Sequence, residues 1–175
     1  MQRVYIMGIS GSGKSTLAKT LRQRFQLPRT ELDAIHHQPN WTPISDVGFV
    51  AALQPILQQD RWVIDGNYSQ VTDLILQRAD TVILLDYSRP LVMARVLRRT
   101  LLRGLLRTEL WNGNRESLRN LLSRDPEVNV VMWAWTMHLR RHERNLEVQR
   151  LFEGSEIQVH RFEHPRQTRV WLESI

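Results

Sequence analysis

Nine consecutive residues, Gly8-Ile9-Ser10-Gly11-Ser12-Gly13-Lys14-Ser15-Thr16, constrain this 175-residue chain more than anything else in it. The string fits G-x-x-x-x-G-K-[ST] at every fixed position. Before it runs a short apolar stretch, Val4-Tyr5-Ile6-Met7, of the kind a buried parallel strand shows. After it, Leu17, Ala18, Leu21 and Phe25 recur at helical spacing. Strand, loop and helix therefore come in the order a phosphate-binding loop requires. The glycines let successive backbone amides turn inward toward phosphate oxygens, and the positive end of the following helix adds to the attraction. Gly8, Ser10, Gly11, Ser12, Gly13, Lys14, Ser15 and Thr16 are the candidate nucleotide-binding residues. Lys14 is expected on the β- and γ-phosphates and the Ser15 hydroxyl on magnesium.

The rest of the chain alternates strand and helix signals. Strands are expected at Thr30–Ile35, Arg61–Asp65, Asp80–Asp86 and Ile157–Phe162. Helices are expected where Phe49, Val50, Leu53, Ile56 and Leu57 recur, over Gln70–Arg78, from Ser88-Arg89-Pro90 to about Arg103, over Asn129–Phe152 and over Gln167–Leu172. Such alternation implies a doubly wound α/β domain with ligands at the carboxyl ends of the strands. There is no internal repeat, low-complexity tract or linker, so residues 1–175 read as one domain.

Three aspartates close expected strands: Asp33, Asp65 and Asp86. A carboxylate at that edge can hold magnesium through water or take a proton from an attacking hydroxyl. Asp65 and Asp33 are assigned to chemistry. Asp65 is followed by Gly66-Asn67-Tyr68, and that glycine would admit a ligand. Asp86, beside Arg89 and Pro90, reads instead as part of a helix-opening turn.

Charge supplies the next candidates. The net charge is +6, and of 24 basic residues all but Lys14 and Lys19 are arginine. Guanidinium groups suit phosphate through paired hydrogen bonds. Arg95 and Arg99 share a helix face, and with Arg98 and Arg103 they open an arginine-rich segment that reads as a lid closing over the triphosphate. The acids Glu109, Glu116, Asp125 and Glu127 offset part of that charge.

Other features exclude alternatives. Without cysteine there is neither a disulfide scaffold nor a thiolate metal site. No apolar run is long enough to span a bilayer, and the opening strand leaves no room for a signal peptide, so a cytoplasmic protein is expected. His36 and His37 are adjacent and read as loop residues; His138 and His142, four apart beside Arg140 and Arg141, do not suit a zinc ion. Trp133 and Trp135, with Met132 and Met137, read as helix packing, whereas Trp41 and Trp111 stand in expected loops and are candidates to stack on a ring.

With these residues in place, the chain resembles the adenylate-kinase-like P-loop kinases. Within them it is most similar to a bacterial subgroup labelled DNA topology modulation protein, or FlaR-like. Carrying the resemblance are Gly8–Thr16, Leu32-Asp33 through Trp41, Trp62-Val63-Ile64-Asp65-Gly66-Asn67-Tyr68, Leu85-Asp86 through Arg99, and Trp111-Asn112-Gly113-Asn114-Arg115-Glu116. It implies a three-layer α/β P-loop NTPase with a five-stranded parallel sheet in the order 2-3-1-4-5. It also implies an acceptor-binding segment at about 34–60 and a helical, arginine-rich lid at about 100–125. The adenine would lie near His164-Pro165. Where adenylate kinases carry Asp-Gly-Phe-Pro-Arg, this chain has Asp65-Gly66-Asn67-Tyr68-Ser69, so the arginine that grips an acceptor phosphate is missing.

The combined expectation is an ATP- and magnesium-dependent phosphotransferase acting on a nucleoside monophosphate or a hydroxylated metabolite. Lys14, Asp33, Asp65, Arg95 and Arg99 would be catalytic. Ser15 and Asp65 would serve the metal, and Asp33, Trp41, Gly66, Asn67 and Tyr68 the acceptor. A hydroxyl acceptor, as in shikimate- or gluconate-type kinases, would make Asp33 the base. The alternatives are a nucleotide-switched protein associated with nucleic acid, which the basic charge favours but no recognition motif supports, and a plain nucleotide hydrolase.

Overall fold

In the computed structural model, which describes residues 1–126 and 128–175, the elements follow as β1 (Arg3–Gly8), α1 (Lys14–Phe25), β2 (Arg29–Glu31), α2 (Leu32–His36), α3 (Asp46–Leu57), β3 (Trp62–Asp65), α4 (Ser69–Leu76), β4 (Thr81–Leu85), α5 (Arg89–Leu105), α6 (Val130–Leu151), β5 (Gln158–Phe162) and α7 (Pro165–Ser174). Glu127 lies outside the described residues. Single 3-10 turns occur at Pro39–Trp41, Trp111–Gly113 and Leu118–Leu122.

The five strands form one parallel sheet in the order β2-β3-β1-β4-β5, as the resemblance implied. Val4 pairs with Val63 on one side and Thr81 on the other, and β5 extends the sheet beyond β4, with Val82 opposite Val159. A central strand of such a sheet is covered on both faces, so Val4 to Met7 of β1 are buried without alternation. Its side chains divide by the twofold period of a strand. Val4 and Ile6 join a core with Leu17 and Leu21 of α1 and Val92 and Val96 of α5. Tyr5 and Met7 join a second core with Phe49 and Leu53 of α3 and Val71 and Ile75 of α4. Phe49 and Leu53 have no exposed surface, and such burial stabilises by roughly 1.5–3 kcal/mol per side chain. Three layers, helix–sheet–helix, follow directly.

Helix ends are set by local chemistry. The Ser45 hydroxyl caps α3 by accepting from Gly48 N at 3.2 Å. Asn129 caps α6, its Oδ1 accepting from Val131 N at 3.0 Å and Met132 N at 3.2 Å. At α7 the cap is a histidine: His164 Nδ1 accepts from Arg166 N at 3.1 Å, and Gln167 Oε1 accepts from His164 N at 3.0 Å. This reciprocal pair starts the helix at Pro165, two residues before the expected Gln167.

One expected element is divided. The strand predicted over Thr30–Ile35 ends at Glu31, and Leu32–His36 is helical. Leu32 and Ile35 stand three apart, so they fit one helical face as well as part of an alternating strand. Asp33 consequently sits in the first turn of α2, not at a strand end. Among the described residues, no helix is long and apolar enough to cross a membrane.

Candidate active site

The loop between β1 and α1 forms the wall between two cavities. One, of about 590 Å³, is lined by Gly11, Ser12, Gly13, Lys14, Ser15 and Thr16 together with Arg95, Pro165 and Thr168. The other, of about 610 Å³, is lined by Ser10, Lys14, Ser15, Asp33, Trp41 and Asp65 among others. Lys14, Ser15, Arg99 and Arg103 line both, so the loop's reactive end is the junction. The loop is seated tightly on α5. A Cβ on Gly11, whose φ is +83°, would stand 2.5 Å from Val96 Cγ2. Backbone can approach that helix only where the residue has no side chain. Gly8, counted with the loop from sequence, lines neither cavity; its N–H and C=O are taken by the Asn67 side chain at 3.3 and 2.5 Å.

Lys14 Nζ donates to Ile9 O at 3.0 Å, and burial lowers its pKa to about 8. Arg99 donates through Nη2 to Ser10 Oγ at 2.8 Å, while its Nε is buried without a partner. Burial, and then the neighbouring Arg103 charge, lower the Arg99 pKa too. Neither Lys14 nor Arg99 has a carboxylate within ion-pair distance among the described residues. Arg95 donates weakly to Ser12 O at 3.4 Å, with its guanidinium carbon 5.5 Å from the Tyr87 ring centroid. Tyr87 is fixed in turn by Thr168, hydroxyl to hydroxyl at 2.7 Å.

Beside the junction lies a cluster of hard oxygen atoms. Ser15 Oγ stands 2.7 Å from Asp65 Oδ2 and 3.1 Å from Glu31 Oε1, so one hydroxyl proton lies between two carboxylates. Arg29 bridges both acids, with Nη2 at 2.9 Å from Asp65 Oδ1 and 3.0 Å from Glu31 Oε2. Burial raises the Asp65 pKa, against the opposing pull of the Ser15 hydrogen bond and Arg29. Two carboxylates and a hydroxyl beside a phosphate loop make a donor set that fits magnesium, which takes few protein ligands and completes its shell with water and phosphate oxygens. Glu31 and Arg29 were not foreseen. Glu31 was hidden inside the over-long strand; its parallel register opposite Asp65 is what brings it to the site.

Of the segment expected as a lid at about 100–125, Arg103 lines both cavities, and Trp111, Glu116, Ser117, Asn120 and Leu121 line the second, the acceptor-side cavity. The turn Trp111–Gly113 docks on the turn Pro39–Trp41. Asn114, only 4% exposed, donates to Gln38 O at 2.9 Å and accepts from Trp41 N at 2.9 Å. Asn112 Nδ2 donates to His37 O at 2.6 Å, and Trp41 Nε1 donates to Arg115 O at 3.3 Å. The helix α5 also runs to Leu105, past the expected end, because Arg103 pairs with Glu116 at 2.9 Å and joins it to the following segment.

Inside this cavity Tyr68 donates to Asp33 Oδ1 at 2.7 Å, and its hydroxyl stands 3.4 Å from His37 Nε2. Burial first, and then the Asp33 charge, raise the Tyr68 pKa, so the phenol stays a donor. His36 and His37 line the cavity and are not ordinary loop residues; burial lowers both pKa values. Gly66 lines the cavity too, and its lack of a side chain makes room for Leu32: at φ +140° a Cβ would stand 2.6 Å from Leu32 Cβ. Asn67 reaches the cavity wall, but its amide is already committed to Gly8.

The remaining candidates separate cleanly. Asp86 is structural: its carboxylate accepts from Arg161 Nε and His142 Nδ1 at 2.8 Å and from Asn145 Nδ2 at 3.1 Å. Among the described residues no group of three histidines or acids could hold a metal ion. Trp133 packs on the core and also lines the acceptor-side cavity. Trp135, expected to pack, is 53% exposed, with the Arg89 guanidinium 4.9 Å from its ring centroid.

No protein-family model matches the chain, and no curated protein matches it. Solved structures do. Shikimate kinase from Bacteroides thetaiotaomicron aligns with 99% of this chain and 95% of its own, at a TM-score of 0.57 and 13% identity. A gluconokinase from Sinorhizobium meliloti 1021 aligns over 85% and 97%, at 0.44 and 19%. Shikimate kinase from Acinetobacter baumannii, in complex with shikimate, aligns over 75% and 80%, at 0.46 and 22%. The full-length alignment with the first of these shows that the chain has the five-stranded parallel P-loop fold in which that kinase is built.

Proposed function

We propose that this protein is a kinase that moves the γ-phosphoryl group of ATP to a hydroxyl of a small acceptor. One observation carries the reading: two cations without carboxylate partners, Lys14 and Arg99, stand at the junction of two cavities beside a cluster of hard oxygen donors. Burying unpaired charge is costly, and a site that does so is built to receive a charge of the opposite sign. A triphosphate in the cavity near Pro165 and an acceptor in the cavity near Asp33 would meet there.

The steps follow from the residues. Loop amides and Lys14 hold the β- and γ-phosphates. Ser15, Asp65 and Glu31 would hold magnesium, which supplies positive charge to the phosphate oxygens. The acceptor oxygen attacks the γ-phosphorus, the bond to the β–γ bridging oxygen breaks, and ADP leaves. The acceptor's proton passes to the Asp33 carboxylate, which the Tyr68 hydroxyl orients. Arg99 and Arg95 neutralise charge on the transferring group. The string Asp65-Gly66-Asn67-Tyr68 supports a hydroxyl acceptor, since it lacks the phosphate-gripping arginine of adenylate kinases. The Trp62–Tyr68 and Trp111–Asn114 strings support a place in the FlaR-like subgroup, and dependence on ATP supports work in the cytoplasm.

The test is ADP release from ATP–magnesium with and without a panel of small hydroxylated compounds and nucleoside monophosphates, using Lys14→Ala as blank. Stimulation by a hydroxyl compound, lost in the blank and in Asp33→Asn, is the expected result. Turnover that no compound stimulates would sink the kinase and leave a hydrolase.

A further inference from the structure

The acceptor-side cavity holds more than a place for a hydroxyl. Its lining divides by chemistry. Its only cations among the described residues are Lys14, Arg99 and Arg103, and all three also line the nucleotide cavity. They belong to the phosphoryl junction. Arg103 is moreover engaged by Glu116 at 2.9 Å. The rest of the lining is rich in rings, Trp41, Trp111, Trp133 and Tyr68, beside the acids Asp33 and Glu116, the latter already paired with Arg103. His36 and His37 add no charge there at neutral pH, because burial lowers both pKa values below the ordinary 6.5.

The rings are held before any ligand arrives. Trp41 and Trp111 meet edge to face with centroids 6.5 Å apart, and His37 lies 5.9 Å from Trp111 with the planes 23° apart. The Trp41 backbone is fixed by Asn114 and its indole N–H by Arg115 O. Rings fixed in this way present apolar faces at little entropic cost. The same cavity also offers an acceptor atom: Glu116 Oε2 is buried with no partner, while its Oε1 pairs with Arg103.

From this lining, and resting on the kinase reading above, we infer that the acceptor is an uncharged, polyhydroxylated ring compound whose face packs against the Trp41–Trp111 pair. An anionic acceptor would bring a second negative charge into a cavity whose lining cations all face the phosphoryl junction, where Glu116 already neutralises Arg103. Ribonucleosides and monosaccharides share the required chemistry: a flat apolar face and several hydroxyl groups without net charge.

Matched pairs test the inference. Adenosine is compared with AMP, and glucose with gluconate, each as acceptor in ADP release and each by tryptophan fluorescence titration without nucleotide. The uncharged member of at least one pair is expected to show a kcat/KM at least ~10-fold above its charged partner, because the charged one meets no counter-ion. The pair that responds identifies nucleoside or sugar. Trp111→Ala should raise the KM of that acceptor about 10-fold, the scale of one lost stacking contact, and leave the KM for ATP within about twofold. Trp111→Phe should restore it. A preference for AMP or gluconate would overturn the inference while leaving the kinase intact. Fluorescence binding of the uncharged compounds without stimulated ADP release would sink the kinase reading and keep the ligand class. Neither binding nor stimulation by any of the four would overturn the inference. Loss of acceptor and ATP use together in both Trp111 variants would make the tryptophan a structural residue only.

Discussion

The two cavities on either side of the loop are built by opposite means. On the proposed nucleotide side the phosphate loop is one contiguous run that needs only a strand before it and a helix after, although α5 and α7 complete the cavity around it. The proposed acceptor side comes, besides the loop residues Ser10, Lys14 and Ser15, from five stretches of chain: Glu31 to Trp41, Asp65 to Tyr68, Arg99 to Arg103, Trp111 to Ser117, and between Asn120 and Trp133. Those stretches are held together by side chains crossing long sequence distances, such as Asn114 to Gln38 and Tyr68 to Asp33. The contrast teaches that the phosphate loop is a local property of the backbone, whereas the proposed acceptor half exists only once distant stretches of the domain are folded together. Substitutions should therefore separate the halves.

The largest effect is expected in the local half. Lys14→Ala removes the one ammonium in the loop, and turnover should fall on the order of 10³-fold, the scale of removing a fixed charge-stabilising donor. Stability should change little or rise, because a partly buried cation is gone; steady-state kinetics beside a thermal melt checks both.

Asp33→Asn comes next. The amide keeps the shape and still accepts from Tyr68, but no longer takes a proton. kcat should drop about 10²-fold or more while the Kd for ATP is unchanged, as measured by nucleotide titration. A mild change would remove Asp33 from the chemistry and break the distinction between the cavities.

Asn114→Ala probes the non-local half directly. It deletes both hydrogen bonds of a buried amide and strips partners from Trp41 N and Gln38 O, so a loss of roughly 1–3 kcal/mol is expected in urea denaturation. The acceptor KM should rise about tenfold with the ATP KM nearly constant, since a misplaced ring loses its stacking contact. Equal damage to both constants would show that the halves are not separable.

The legibility of each part follows the same division. The strand–loop–helix of the phosphate loop was readable because it depends on contiguous pattern, and the sheet order followed from the family resemblance. Asp33 was placed in the right neighbourhood on the wrong element, since Leu32 and Ile35 fit two periodicities. The arginines at the start of the expected lid, Arg99 and Arg103, do line both cavities, while its later residues line the second. Nothing in the string Trp111-Asn112-Gly113-Asn114 announces that its two asparagines will bond to the backbone of residues 34–38. Asn67 and Gly66 were read as ligand contacts because both adjoin Asp65. Both line the second cavity, and sequence did not show that Asn67 also bonds the backbone of Gly8 or that Gly66 makes room for Leu32. Glu31 and Arg29 required the register of β2 against β3.

The smallest effect concerns protons. Lys14 has a folded pKa of about 8, below its ordinary 10.5. Its charged form therefore costs the folded state below about pH 8, and that cost fades as pH rises toward 10.5. Bound phosphates favour the charged form, so nucleotide binding near pH 8 should take up on the order of half a proton and weaken as pH rises further. Calorimetric titration in buffers of different ionisation heat reads this directly. Binding heats independent of buffer would place the lysine away from the phosphates.

The central claim is that phosphoryl passes from one cavity to the other through the loop. Phosphorus NMR of ATP–magnesium incubated with the protein and a stimulating hydroxyl compound tests it most directly. The account predicts that the γ-phosphorus signal is replaced by that of an organic phosphate monoester as ADP forms. Growth of inorganic phosphate alone, with the acceptor recovered unchanged, would contradict it.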